Sequence, residues 1–251
     1  LVHQPASLRC LDSVDHDALS RLLSRQRAAD KGKLLVVEGS LNDRIFILTC
    51  GWGMRYKSLP DGRRQILNFL LPGDIEGFFG LLSRTAACGV EALTPVTLHN
   101  IRSDRLLDTM RQAPQLAFAL SWLAGQAERR LDEQILRIGR RDATERMAHL
   151  FMELHYRLLQ ADIGPDDARR FPLTQTVLAD ALGMSHVHAN RSFRVLAREG
   201  LVDLQDGNVL LLDTQALSLF AGFNPAYLKQ QPLSPAVEPH FPAGDLHNVS
   251  A

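Results

Sequence analysis

At 251 residues, 45% hydrophobic and 22% charged, the chain has the length and balance of one large or two modest globular domains. No apolar run nears the roughly 18 residues that suggest a membrane helix, and the N-terminus does not read as a secretory signal. The 28 basic and 28 acidic residues cancel, so any positive field for a polyanionic partner must be local rather than global.

In chain order, residues 12–29 read as a helix with Leu19, Leu22 and Leu23 as its apolar stripe. From Lys33 onward, short β-type runs alternate with turn signals. These are Leu34–Val37, Arg44–Leu48, Gly53–Lys57, Gln65–Leu70 and Val96–Ile101, punctuated by Gly39, Gly51, Pro60-Asp61-Gly62 and Pro72-Gly73-Asp74. Regular short strands with glycine turns predict a small antiparallel β-roll over residues 1–113, able to enclose a small ligand. Phe78–Leu82 reads as a short helix interrupting it.

Pro114 opens a long helix to about residue 140. Along it Ala117, Leu120, Ala124, Ala127, Leu131, Gln134 and Ile138 recur at alternating spacings of three and four, a heptad seam. The seam predicts a homodimer in which Gln134 meets its symmetry mate; the alternative is a helix packed on its own domain. Asp142-Ala-Thr-Glu145 is a capping box, so a new helix begins there and Gly139–Asp142 reads as a hinge. Met147, Leu150, Phe151 and Leu154 make that helix amphipathic, and residues 163–170 follow as a polar loop.

Residues 174–194, TQTVLADALGMSHVHANRSFR, read as two short helices around a turn. Thr174 and Ser185 can cap them, and Gly183 can adopt the left-handed dihedrals the turn requires. On the second helix Ala189, Phe193 and Leu196 face inward, while His186, Val187, Asn190, Arg191 and Arg194 share the outer face. That face suits a major groove: Arg can bond guanine bidentately, Asn adenine, and Val can touch a thymine methyl. Thr174, Gln175 and Ser185 complete the expected DNA-contacting set. Leu201–Leu204 and Asn208–Leu212 around Asp206-Gly207 read as a β-hairpin, making residues 141–223 a winged helix-turn-helix. Residues 224–251, rich in proline, read as a tail that does not fold.

This α+β order of roll, long helix, capped hinge and winged helix resembles the Crp/Fnr superfamily of bacterial transcription regulators from about residue 12 to about residue 223. The resemblance is carried by VVEGSLNDRIFILTCG, LPDGRRQILNFLLPGD, GRRDATERMAHLFMEL and LTQTVLADALGMSHVHANRSFRVLAREGLV. It implies a homodimer on an inverted repeat of double-stranded DNA, base contacts from His186, Val187, Asn190 and Arg191, and RNA polymerase as a partner. Cyclic-AMP-binding members carry Arg and Glu at the positions of His186 and Val187, so a different operator is expected.

The expected effector pocket comprises Phe78, Phe79, Gly80, Arg84 and Thr85. Against the cyclic-nucleotide cassette it departs: Phe78 stands where the ribose-binding Glu belongs, Ala86 where the phosphate-binding Arg belongs, and Arg84-Thr85-Ala86 is displaced. Three well-separated cysteines, Cys10, Cys50 and Cys88, fit a reducing cytoplasm and cannot supply the four ligands of an iron–sulfur cluster. His99 or Cys88 could be proposed as a haem ligand, but no cofactor is required by the sequence, and cyclic nucleotide, haem and cluster are not expected. His186 and His188 project about 200° apart on a helix and cannot share a metal. No nucleophile elbow, P-loop or cupin metal set gives an enzyme reading residues to stand on. The competing readings are a sensing module that acts through protein partners and a true cyclic-nucleotide-responsive regulator.

Overall fold

The computed structural model describes residues 20–23, 26–41, 43–78, 80, 83 and 85–229. A helical turn at 20–22 leads into β1 (Gln26–Ala29), then β2 (Leu34–Val36), β3 (Arg44–Cys50), β4 (Gly53–Ser58), β5 (Arg64–Leu70), β6 (Ile75–Glu76), β7 (Gly89–Ala92) and β8 (Val96–Arg102). They form two antiparallel four-stranded sheets, ordered β1-β8-β3-β6 and β2-β7-β4-β5. Alternating inward residues such as Phe46 and Leu48 of β3 and Val96 and Leu98 of β8 fill the space between strands. The helix read over residues 12–29 is corrected at its end: Gln26–Ala29 pairs antiparallel with Val96–His99, and sheet pairing overrides local helix pattern. Residues 12–19, and most of the short helix read over 78–82, lie outside the described residues.

Helices α1 (Ser103–Gln112) and α2 (Pro114–Arg140) follow. The first third of α2 packs on the roll, where Leu116, Ala119 and Leu120 join Ile45, Ile47, Ile101 and Leu106 in one apolar cluster. No helix among the described residues is long and apolar enough to cross a membrane.

Helix α3 (Ala143–Gln160) starts at a complete capping box: Asp142 accepts from the Thr144 and Glu145 amides, and Glu145 accepts from the Asp142 amide at 3.1 Å. A 3-10 turn at Asp167–Arg169 and β9 (Arg170–Phe171) replace part of the loop read over 163–170. Next come α4 (Gln175–Leu182), α5 (His186–Arg198), β10 (Val202–Gln205), β11 (Asn208–Leu211) and α6 (Thr214–Phe220). The β10–β11 hairpin turns through Asp206 and Gly207 at φ +51° and +76°, the left-handed pair such a tight turn needs, and β9 adds a third strand.

Roll and C-terminal unit share a core. Trp52, Met54, Ile66, Phe69 and Leu71 of the roll belong to the same buried cluster as Phe151, Phe171, Leu178 and Leu182. The Trp52 ring centroid lies 5.7 Å from that of Phe171, which in turn lies 5.9 Å from Phe151.

Candidate nucleic-acid interface

The two short helices are set by their caps and their turn. Thr174 Oγ accepts from the Val177 amide and Ser185 Oγ from the His188 amide, both at 3.3 Å. Gly183 between them has φ +62°. Val177, Leu178, Ala181 and Leu182 of α4 and Ala189, Phe193 and Leu196 of α5 are buried against α3 and one another. Small Ala179 and Ala189 sit in that contact, which brings the helices close.

The outward face of α5 stands in solvent. His186, Val187, Asn190, Arg191 and Arg194 are all exposed, and Val187 is 80% accessible, an unusual place for a branched aliphatic side chain. Thr174 and Ser185 are exposed beside it, and Gln175 is half-buried. Seven of these eight residues are thus solvent-exposed and Gln175 half-buried, around a helix that carries no carboxylate before its C-cap, Glu199. His188 is exposed as well, and among the described residues no three His, Cys, Asp or Glu side chains gather to hold a metal.

Beneath this surface lies a buried ionic junction that sequence reasoning missed. Arg137 of α2 is 1% exposed and bonds Gln134, Glu153 and His149 Nδ1, the last at 3.2 Å. Glu153 of α3 also accepts from the Tyr227 hydroxyl at 2.9 Å. Arg157, one turn on, donates to Phe69 O at 2.8 Å and to Asp74 Oδ2 at 2.6 Å, so α3 is riveted to the roll's β5–β6 turn. Burial raises the Glu153 carboxyl, but Arg137, Arg157 and the Tyr227 hydroxyl outweigh it and hold it below its usual range. Burial, with Arg137 and Arg141 nearby, pushes His149 down to about 3, so the ring is neutral and accepts from Arg137. Residues 224–229 are therefore not part of an unfolded tail: a 3-10 turn at Pro225–Tyr227 delivers Tyr227 into the junction. Residues 230–251 lie outside the described residues.

The heptad stripe on α2 turns inward. Leu120, Ala124 and Gln134 are buried within the one chain, and Ala127, Leu131 and Ile138 are half-buried on the same side. Gln134 does not wait for a symmetry mate; its amide donates to Ala181 O at 2.8 Å. Periodicity locates an apolar face but not what covers it, and here the chain's own roll and C-terminal unit cover Leu120 and Gln134, while Ala127, Leu131 and Ile138 keep part of their surface open. Away from the stripe, Phe118 and Leu136, five whole turns apart and so on one side of the helix, are 50% and 45% exposed; Ile135, 69% exposed, lies about 100° round from them, at the edge of the stripe.

Of the expected effector pocket, Phe79 and Arg84 lie outside the described residues. Phe78 is half-buried against the roll–α1–α2 cluster. Gly80 donates to Gly77 O at 3.0 Å, and Thr85 is exposed in a single bridge to Leu41. Ala86, expected in the arginine's place, is buried and brings no charge. Within the roll, Arg55 and Glu76 face each other at 3.9 Å. Burial raises the half-buried Cys88 thiol, which disfavours the thiolate a redox sensor needs, while Cys50 is exposed. His99 is buried in the middle of the β1-β8-β3 sheet.

Known proteins share this arrangement. Residues 26–113 match the cyclic nucleotide-binding domain, and residues 145–220 match the Crp-like helix-turn-helix domain. The nitrogen fixation regulation protein FixK of Rhizobium meliloti is 30% identical over 179 residues, 71% of this chain and 78% of its own length. The transcriptional activatory protein AadR of Rhodopseudomonas palustris is 29% identical over 212 residues, 84% of this chain and 87% of its own. In fold, the chain is similar to FixK2 from Bradyrhizobium japonicum, with a TM-score of 0.69 at 23% identity over 78% of this chain and 96% of that one. The roll, the capped long-helix junction and the winged helix with its exposed donor face, together with these relatives, show that the chain belongs to the Crp/Fnr family of DNA-binding transcription regulators.

Proposed function

We propose that the protein acts as a homodimer on an inverted repeat, with one α5 in each of two successive major grooves. The carrying observation is the α5 face: two arginines, an asparagine, a histidine and an 80%-accessible valine held outward by a helix whose other side is core. In this reading Arg191 and Asn190 bond base edges, Val187 touches a thymine methyl and His186 faces a neighbouring base. Arg194, Thr174, Gln175 and Ser185 hold phosphates, which position the helix without specifying sequence. The cytoplasm is the compartment and RNA polymerase the protein partner that this function entails.

The dimer contact is assigned to the outward face of α2. Phe118 and Leu136 there are large, apolar and exposed, and Ile135 is exposed about 100° round from them, beside Leu131 and Ile138. Such a face on a long helix is the usual ground for a second copy. The roll serves as a sensor domain whose nucleotide cassette has lost its charged pair, Phe78 and Ala86 standing in the two places.

Selection from a random duplex pool with the full-length protein tests this reading. Enrichment of a palindrome with half-site centres about 34 Å apart is expected. A pool that stays random would favour a module acting through protein partners instead.

A further inference from the structure

The end of α4 is capped from outside its own unit. A helix leaves its last four carbonyls without intrahelical partners. In α4 that of Ala179 takes the Gly183 and Met184 amides of the turn, and that of Leu182 takes the Arg146 guanidinium at 2.8 Å. The carbonyl of Ala181 takes two glutamine amides from different elements: Gln65 of β5 at 3.0 Å and Gln134 of α2 at 2.8 Å. Both lone pairs of that oxygen are thereby used.

The amide orientations follow from their partners. Gln134 Oε1 accepts from Arg137, so its nitrogen is the end left for Ala181. Gln65 Nε2 sits between two carbonyls, Ile66 O and Ala181 O, and must be the donor. Gln65 also abuts the turn itself, its Oε1 lying 3.3 Å from where a Cβ on Gly183 would stand. Beside it, Arg64 pairs with Asp180 of α4 at 2.6 Å and with Glu91 of β7 at 3.3 Å. Arg64 and Gln65 thus tie strands β5 and β7 of the roll to α4 beside the turn that launches the recognition helix.

We propose that Gln65 and Gln134 are positioning residues for DNA reading. By capping α4 at Ala181, the roll and the long helix together fix the Gly183 turn and hence the direction of α5. The roll then influences operator recognition through this cap, and not only through the Gly139–Asp142 hinge. The inference rests on the DNA-binding reading of α5.

The test uses the full-length protein, the duplex enriched by pool selection and a scrambled duplex of equal length. Gln65→Met keeps the shape and removes the donor; Gln134→Glu keeps the acceptor for Arg137 and removes the donor. Each is expected to weaken operator binding about threefold to tenfold, the worth of one hydrogen bond, with scrambled-duplex affinity unchanged. Gln134→Glu and Gln65→Glu each set a carboxylate against the Ala181 carbonyl, so both should fall at the upper end of that range or beyond it. A role in stability alone would lower the melting temperature and leave the operator-to-scrambled ratio in place; that ratio held within about twofold in both donor-removing variants overturns the proposal. Should the wild type enrich no duplex, the DNA reading fails separately, and amide hydrogen exchange decides the cap. Faster exchange in Gln65→Met confined to residues 179–188 supports it, and unchanged exchange there overturns it.

Discussion

The two sides of the DNA-reading unit spend their polar groups in opposite ways. On the outer face of α5, Asn190, Arg191 and Arg194 stand in solvent on a rigid, well-capped helix. On the inner side, Arg137, Glu153 and Arg157 are buried and, with half-buried Asp74, consumed by one another. A donor that reads a groove must be left available, whereas a charge that joins two domains must be desolvated and fully matched. The outer face can therefore change without harm to the fold, and the inner junction cannot.

Breaking the junction gives the largest expected effect. Glu153→Leu leaves Arg137 in the interior without its carboxylate, while Arg157 keeps Asp74, and should destabilise the protein by about 3–5 kcal/mol, read from denaturant unfolding. Because roll and C-terminal unit share one core, both should unfold in a single transition.

Acid probes the same junction more gently. His149 is depressed in the folded protein relative to the unfolded chain, so the unfolded state binds the extra proton. Stability is fully present above about pH 6.5 and falls as pH drops toward about 3, with a slope of up to about 1.4 kcal/mol per unit from this ring. Unfolding free energies between pH 7.5 and 5 should show that slope, and His149→Gln should remove this ring's share, leaving that of His155, which burial also holds down. Smaller still, Asp142→Ala removes the capping box and should cost about 1 kcal/mol. At the outer face, Val187→Ala should leave unfolding unchanged within about 0.5 kcal/mol while altering the preferred operator.

The same contrast explains what the sequence discloses. The helix-turn-helix is local: Thr174, Gly183, Ser185 and the inward Ala189-Phe193-Leu196 spacing lie within 23 residues, and short-range rules suffice to read them. The junction is non-local, since Asp74 and Arg157 stand 83 positions apart and no spacing links them. Strand β1 was hidden likewise, because Gln26 finds its partner at His99. The heptad stripe on α2 is a real apolar face, but its pattern does not say whether a second copy or the chain's own roll covers it. Tyr227 lay among prolines that signal disorder, and only its bond to Glu153 gives it a place. In the roll, the uncharged Phe78 and Ala86 are plain from the sequence. The pairing of Arg55 with Glu76 emerges only when β4 and β6 are brought together.

The most direct test of the central claim, that the outward face of α5 reads the bases, is a pool selection repeated with Arg191→Ala. The half-site spacing should persist, since the caps, the junction and the proposed dimer face are untouched. Base preference should relax at one position in each half-site, with a loss of about 1–3 kcal/mol of discrimination per contact. An enriched sequence identical to that of the wild type, bound as tightly, would mean that α5 does not read the operator as described.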